Sequence, residues 1–253
     1  MKILISPAKS IDEKALKSSV STIPIFQNEA QKIVKNLRNL KIDELKDLMS
    51  ISEDLAKLNW KRYKNWKKST SESDELITAG FAFSGEVYRG LEIASLNSEE
   101  LEFANQNLRI LSGMYGILKP TDLIYPYRLE MGTRFSPIDE QKNLYEFWKD
   151  KIAKTLKKEL EKEEVLVNLA SHEYFKSVDI QQIKNRIITP VFKEFKNGKF
   201  SIVMMYAKHA RGAMARYLIQ NQFAEIEELK LYSVDGYAFD ANQSTENEWV
   251  FVR

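Results

Sequence analysis

Short β-rich runs recur along this chain and alternate irregularly with stretches of helical period. That alternation constrains the fold more than any single residue. Each run has to find a sheet partner, and each amphipathic segment has to cover a sheet face. "KILIS" (2–6) is a strand stopped by Pro7, "LITAGFAF" (76–83) reads as a buried strand, and "VLVNLA" (165–170) as another. "IITPVFKEFKNGKFSIVMMYA" holds two such runs around Asn197-Gly198, a hairpin signal, and "LYSVDGYAFD" with "EWVFVR" forms a second hairpin near Arg253. Helical periods fill the intervals: 26–40, a pair over 43–68, a short one in "EVYRGLEI", and a long one in which Leu144, Trp148, Ile152, Leu156 and Leu160 recur every fourth residue. Asn97 and Glu100 form a capping box for a helix expected to run to Leu111, ahead of Gly113, and "KHARGAMARYLIQNQF" is the last helix. With roughly seven strands and no repeat, linker or composition shift, the expectation is one mixed α/β domain over residues 1–253, a mixed sheet with surrounding helices.

The chain has no cysteine, which excludes disulfide scaffolding, thiol redox sensing and thiolate zinc sites. His172 and His209 leave little room for a histidine-rich metal site, so no metal and no cofactor is expected. With 38 basic and 36 acidic side chains the formal charge is only +2, so any polyanion site must come from local clustering. No apolar run is long enough for a signal peptide or a membrane span, which points to a cytoplasmic protein without membrane partners.

Five stretches carry possible chemistry. In "RILSGMYGILKPTDLIYPYRLEMG" (109–132), a helix, a glycine-bounded turn and a second short helix would outline a helix-hairpin-helix. Gly113 and Gly116 would let backbone amides approach a phosphate, flanked by Arg109 and Lys119. The plainer reading is that Gly113 ends a helix and Gly116 allows a turn. "KLNWKRYKNWKK" (57–68) interleaves Trp60, Tyr63 and Trp66 with cations, either a stacking platform or an amphipathic helix whose rings enter the core. In "YAKHARGAMARY", Lys208 and Arg211 share a helix face, while His209 points elsewhere. In "NLASHEYFKS", a strand ends at Asn168 and Ser171 starts a helix, the position where α/β folds place ligands. Ser171, His172 and Glu173 are adjacent in sequence and so do not form a triad. In "YPYRLEMG", Arg128 and Glu130 either pair structurally or supply an acid/base element.

Taken together, "ILISPAK", "GEVYRGL", "LRILSGMYGILKPTDLIYPYRLEMG", "NLASHEYFKS", "PVFKEFKNGKF", "YAKHARGAMARYLI" and "GYAF" resemble, in order and over the whole chain, the YaaA family of peroxide-stress proteins. The resemblance implies resistance to hydrogen peroxide, low unincorporated iron, and DNA binding through a positive cleft and a helix-hairpin-helix. Carried over, it puts Lys9, Arg128, Lys208 and Arg211 in the cleft and the hairpin at 112–116. Both histidines depart from the family's pattern, which leaves Asn168, Ser171, Glu173 and the basic cleft. Two function classes follow. One is a binder of DNA backbone with little sequence specificity, monomeric, protecting DNA and limiting iron-driven damage. The other is an enzyme on a nucleotide or nucleic-acid base, with Glu130 or Glu173 as the acid/base group. A deep pocket joining Lys9, Asn168, Glu173 and Arg211 favours chemistry; an open groove favours binding.

Overall fold

The computed structural model describes residues 1–70, 75–138 and 141–253. Its strands are β1 (Lys2–Ile5), β2 (Ser10–Ile11), β3 (Ile77–Thr78), β4 (Phe83–Ser84), β5 (Leu108–Ser112), β6 (Gly116–Leu118), β7 (Leu123–Ile124), β8 (Leu166–Asn168), β9 (Ile187–Lys196), β10 (Lys199–Ser201), β11 (Ala238–Phe239) and β12 (Glu248–Val252). Its helices are α1 (Gln27–Leu37), α2 (Ile42–Met49), α3 (Glu53–Asn65), α4 (Ala79–Ala82), α5 (Glu86–Leu91), α6 (Ser98–Asn107), α7 (Leu144–Glu159), α8 (His172–Phe175) and α9 (Met204–Asn221).

Among the described residues, one eight-stranded sheet dominates, in the order β11-β12-β9-β8-β1-β5-β6, with β10 pairing off this path onto β9. Its middle is parallel: β1 with β5, β1 with β8, β8 with β9, and β9 with β12. The edge strands β6 and β11 join antiparallel. The central strand β1 is buried on both faces and apolar there; Ile3, Leu4 and Ile5 have no exposed surface. Helix α9 packs on β1 and β9 with α5 against it, and α7 packs on β6. The mixed α/β class holds, as do both expected hairpins and the capping box at Asn97.

The order of the parallel strands creates the site. From β1 the chain crosses to β5 on one side; from β8, the other neighbour of β1, it continues to β9 on the opposite side. Loops leaving the carboxyl ends of β1 and β8 therefore diverge and open a crevice.

Two sequence expectations fail. The helix from Asn97 stops at Asn107, and residues 108–112 are a strand, not the last turns of a helix. The segment between Arg109 and Lys119 is thus a β-hairpin, Ile110 opposite Leu118 and Ser112 opposite Gly116, and there is no helix-hairpin-helix here. "LRILS" is apolar enough to be buried whole, and pairing with β1 decides its conformation. Likewise "LITAGFAF" is extended only near its ends, where Ile77 and Thr78 pair with β7 and Phe83 pairs with β2; the four residues between form the single turn α4, where Gly80 N donates to Pro120 O (2.8 Å).

Two of the three rings of "KLNWKRYKNWKK" belong to the core, and the third, Trp60, packs half-buried against it. Tyr63 and Trp66 are buried, and Trp66 Nε1 donates to Tyr115 Oη (2.8 Å), as the amphipathic reading expects.

Candidate functional site: a cationic pocket at the strand switch point

A pocket of about 300 Å³ opens at the carboxyl ends of β1 and β8. Four chain segments and the Glu130 side chain from a fifth build it. The first is the loop Ser6–Ser10, held at one end by β1 and at the other by the β2–β4 ladder. The second runs from Leu169 through Ser171 to Tyr174. These two are tied together: Ser171 N donates to Ser6 Oγ (2.9 Å), and the two hydroxyls lie 3.2 Å apart. Ser171 is the N-cap residue of α8, but its hydroxyl faces Ser6 instead of capping. Asn168 shapes the turn before it, accepting from Ala170 N (3.1 Å) and donating to Thr189 Oγ1 (3.3 Å). It is buried beneath the pocket floor and does not line it.

The third wall is the start of α5, Gly85 to Tyr88, and the fourth is α9 with Lys208 and Arg211. Helices α5 and α9 touch backbone to backbone. A Cβ on Gly212 would lie 1.8 Å from Val87 O, and one on Gly90 would lie 2.2 Å from His209 O. Only glycine permits that approach. It brings Lys208 and Arg211 over the crevice, while His209 faces away and meets Asp235 (3.5 Å).

Arg211 is half-buried in the wall, and among the described residues it has no carboxylate or hydrogen-bond partner. Burial pulls its pKa down from the usual arginine value, the mark of a cation stripped of water without a counter-charge. Lys208 beside it is exposed and likewise has no ion-pair partner among the described residues.

Two carboxylates, Glu130 and Glu173, also line the pocket, and neither pairs with Lys208 or Arg211. Glu130 Oε2 meets Lys9 Nζ at 2.6 Å, and Glu130 Oε1 accepts from Arg128 Nη2 at 2.9 Å. Arg128 therefore reaches the pocket only through Glu130, and its buried Nε has no hydrogen-bond partner among the described residues. Tyr63 Oη donates to Arg128 O and fixes the backbone here. Glu173 Oε1 accepts from Gly132 N (3.0 Å), joining α8 to the same segment. Tyr174 and Tyr88 complete the wall; burial holds both phenols well above their ordinary pKa, so they stay neutral.

The remaining sequence candidates lie elsewhere. Arg109 is buried in β5, pairs with Glu159 of α7 (2.8 Å) and donates to Asn105 O and Leu108 O. Gly113 and Gly116 are buried too. A Cβ on Gly113 would lie 2.4 Å from Leu129 O, so this glycine lets the Leu129–Glu130 backbone lie on the hairpin turn. Gly116, at φ +71, has the Trp148 ring 2.5 Å from where a Cβ would stand. Lys119 offers its backbone N–H to Asp122 (2.8 Å), away from the pocket. These residues shape the site and do not face it. Sequence reasoning passed over Ser6, Gly85 and Tyr88, although all three stand inside or beside the quoted family strings.

No group of three or more His, Cys, Asp or Glu side chains among the described residues is arranged to hold a metal ion. No helix among them is long and apolar enough to cross a membrane.

The family model described as peroxide stress protein YaaA matches residues 1–243. The chain belongs to that family. A UPF0246 protein of Flavobacterium johnsoniae is 49% identical over 254 residues, covering all of both chains. One from Flavobacterium psychrophilum is 48% identical with the same coverage. One from Aliivibrio fischeri is 46% identical over 256 residues, covering all of this chain and 98% of its own. Membership places the protein in the response to peroxide stress.

Proposed function

We propose that the protein binds nucleic acid through this pocket, gripping the backbone with little sequence specificity and shielding it from iron-driven oxidation during peroxide stress. The observation that carries the reading is Arg211, a half-buried cation that, like Lys208 beside it on the pocket wall, has no ion-pair partner among the described residues. A phosphate between them would supply the missing charge, and phosphate contacts position a nucleic acid without reading its sequence. The pocket's size, at the low end of ligand sites, suits one nucleotide unit, with Tyr88 and Tyr174 as apolar wall beside the cations. Fluorescence anisotropy of a labelled oligonucleotide across a salt series tests it. Affinity should fall steeply with salt. Affinity that stays flat from low to high salt ends the proposal.

A second reading has its own support. Glu130 and Glu173 both line the one pocket that also holds Lys9, Lys208 and Arg211, and an acid/base enzyme acting on a nucleotide needs carboxyl groups so placed. Incubation with nucleotides and short oligonucleotides, followed by chromatography for released base or phosphate, separates the two. Products that appear with the wild type and vanish with Glu130→Gln or Glu173→Gln would favour catalysis.

A further inference from the structure

The β9–β10 hairpin stands apart from the rest of the sheet. Strand β9 pairs with β8 and, as far as Lys193, with β12; Phe195 N still donates to Arg253 O (2.7 Å), and beyond it the ladder partner is β10 alone, which pairs with no other strand among the described residues. Asn197 and Gly198 turn the tip at φ 54 and φ 75, the left-handed pair of a tight hairpin turn. Phe195 and Phe200 sit opposite each other, 60% and 41% exposed, with ring centroids 5.1 Å apart. The next cross-strand pair is Lys196 opposite Lys199, both exposed.

This arrangement works against folding stability in two ways. Two large rings remain in water, and two like charges face each other directly. The nearby acid does not relieve them: Glu194 is committed to Arg253 (2.8 Å) and to the Tyr237 hydroxyl. Neither lysine has an ion-pair partner among the described residues. The rings lie on one face of the two-stranded ribbon and the lysines, one position nearer the tip, on the other, so a single strand that wraps the tip would lay a base on the rings and its phosphates at the lysines. A protein partner fits less well, because lysine is depleted in the cores of protein interfaces.

The chain leads from the hairpin straight into α9, which carries Lys208 and Arg211 to the pocket. Ile202, Met204, Met205 and Tyr206 follow the hairpin and are all exposed. Glu86 borders both the pocket and the depression that holds Met205 and Tyr206.

We infer that the β9–β10 hairpin is a second nucleic-acid contact, a stacking finger on which an unpaired base lies against Phe195 and Phe200 while Lys196 and Lys199 neutralise the adjoining phosphates. It gives the protein a preference for single strands over duplex. The inference rests on the nucleic-acid reading of the pocket and extends it.

The test is fluorescence anisotropy with a labelled mixed-sequence single strand and the corresponding duplex. F195A/F200A should weaken single-strand binding about tenfold and leave duplex binding within about threefold. F195L/F200L, which keeps apolar bulk and removes the ring faces, should lose as much. K196A/K199A should lower the single-strand salt slope by about 1.4, from ~0.7 per phosphate. Both rings are exposed, so thermal melts should match the wild type. Unchanged single-strand affinity in the phenylalanine variants, or an equal loss on duplex, overturns the finger. So does full binding by the leucine variant, or a wild-type dimer in sedimentation velocity that F195A/F200A converts to monomer. If K208A/R211A binds like the wild type while F195A/F200A loses tenfold, the pocket reading falls and the finger stands. If K208A/R211A is weakened and the hairpin variants are not, the finger alone falls.

Discussion

Lys9 Nζ lies 2.6 Å from Glu130 Oε2, and the other oxygen of the same carboxylate takes Arg128. One acid thus occupies two cations at the pocket mouth, in competition with any anionic ligand. Glu130→Gln should therefore tighten oligonucleotide binding by about threefold to tenfold at low salt. It should cost about 1 kcal/mol of stability, since both partners keep some solvent. Weaker oligonucleotide binding by this variant would mean that Glu130 holds the ligand instead of opposing it.

Lys208→Ala with Arg211→Ala removes the two unpaired cations of the α9 wall. Single-strand binding should weaken at least about tenfold, and the salt slope should fall by about 1.4 as two phosphates lose their partners. A salt series read by anisotropy checks both numbers. The melting temperature should hold or rise, because Arg211 is half-buried and has no counter-charge among the described residues.

Gly212 sits where α9 crosses α5, with Val87 O 1.8 Å from the position of a Cβ. Gly212→Ala should push the helices apart and cost about 2–3 kcal/mol in a urea melt. It should weaken oligonucleotide binding as well, since Lys208 and Arg211 ride on the displaced helix. Normal stability with normal binding would contradict the packing described above.

Asp122 gives a prediction in pH. Burial pushes its carboxyl up from the ordinary aspartate value, against hydrogen bonds from Lys119 N–H and the Thr22 hydroxyl. A raised native pKa means that the folded state holds the proton more tightly than the unfolded chain. The contribution to stability is therefore greatest at the acid end and declines as pH rises through the raised value. The melting-temperature advantage of the wild type over Asp122→Asn should shrink from about pH 4 to about pH 7. A difference that stays constant or widens would refute the assignment.

Much of the site was legible in local sequence. The Asn168–Ser171 strand end marks the switch point, and Lys208 and Arg211 share a helix face because they are three residues apart. The Arg128–Glu130 alternation marks an ion pair. Arg109 misled because a basic residue beside a glycine turn looks like a phosphate contact. Only the position of α7 shows that its guanidinium is consumed by Glu159.

By itself, the amino-acid order determined where most elements lie, which faces of α1 and α7 enter the core, and the two hairpins around Asn197-Gly198 and before Arg253. Periodicity, caps and turn residues act over a few positions, so a linear reading finds them. Tertiary structure alone decided that "LRILS" is a strand, because β1 supplies its hydrogen bonds from more than one hundred residues away. It alone joined Lys9, Glu130, Ser171 and Arg211 into one pocket. That convergence depends on β8 inserting beside β1 and on two glycines letting α5 and α9 touch, and both are contacts between distant segments.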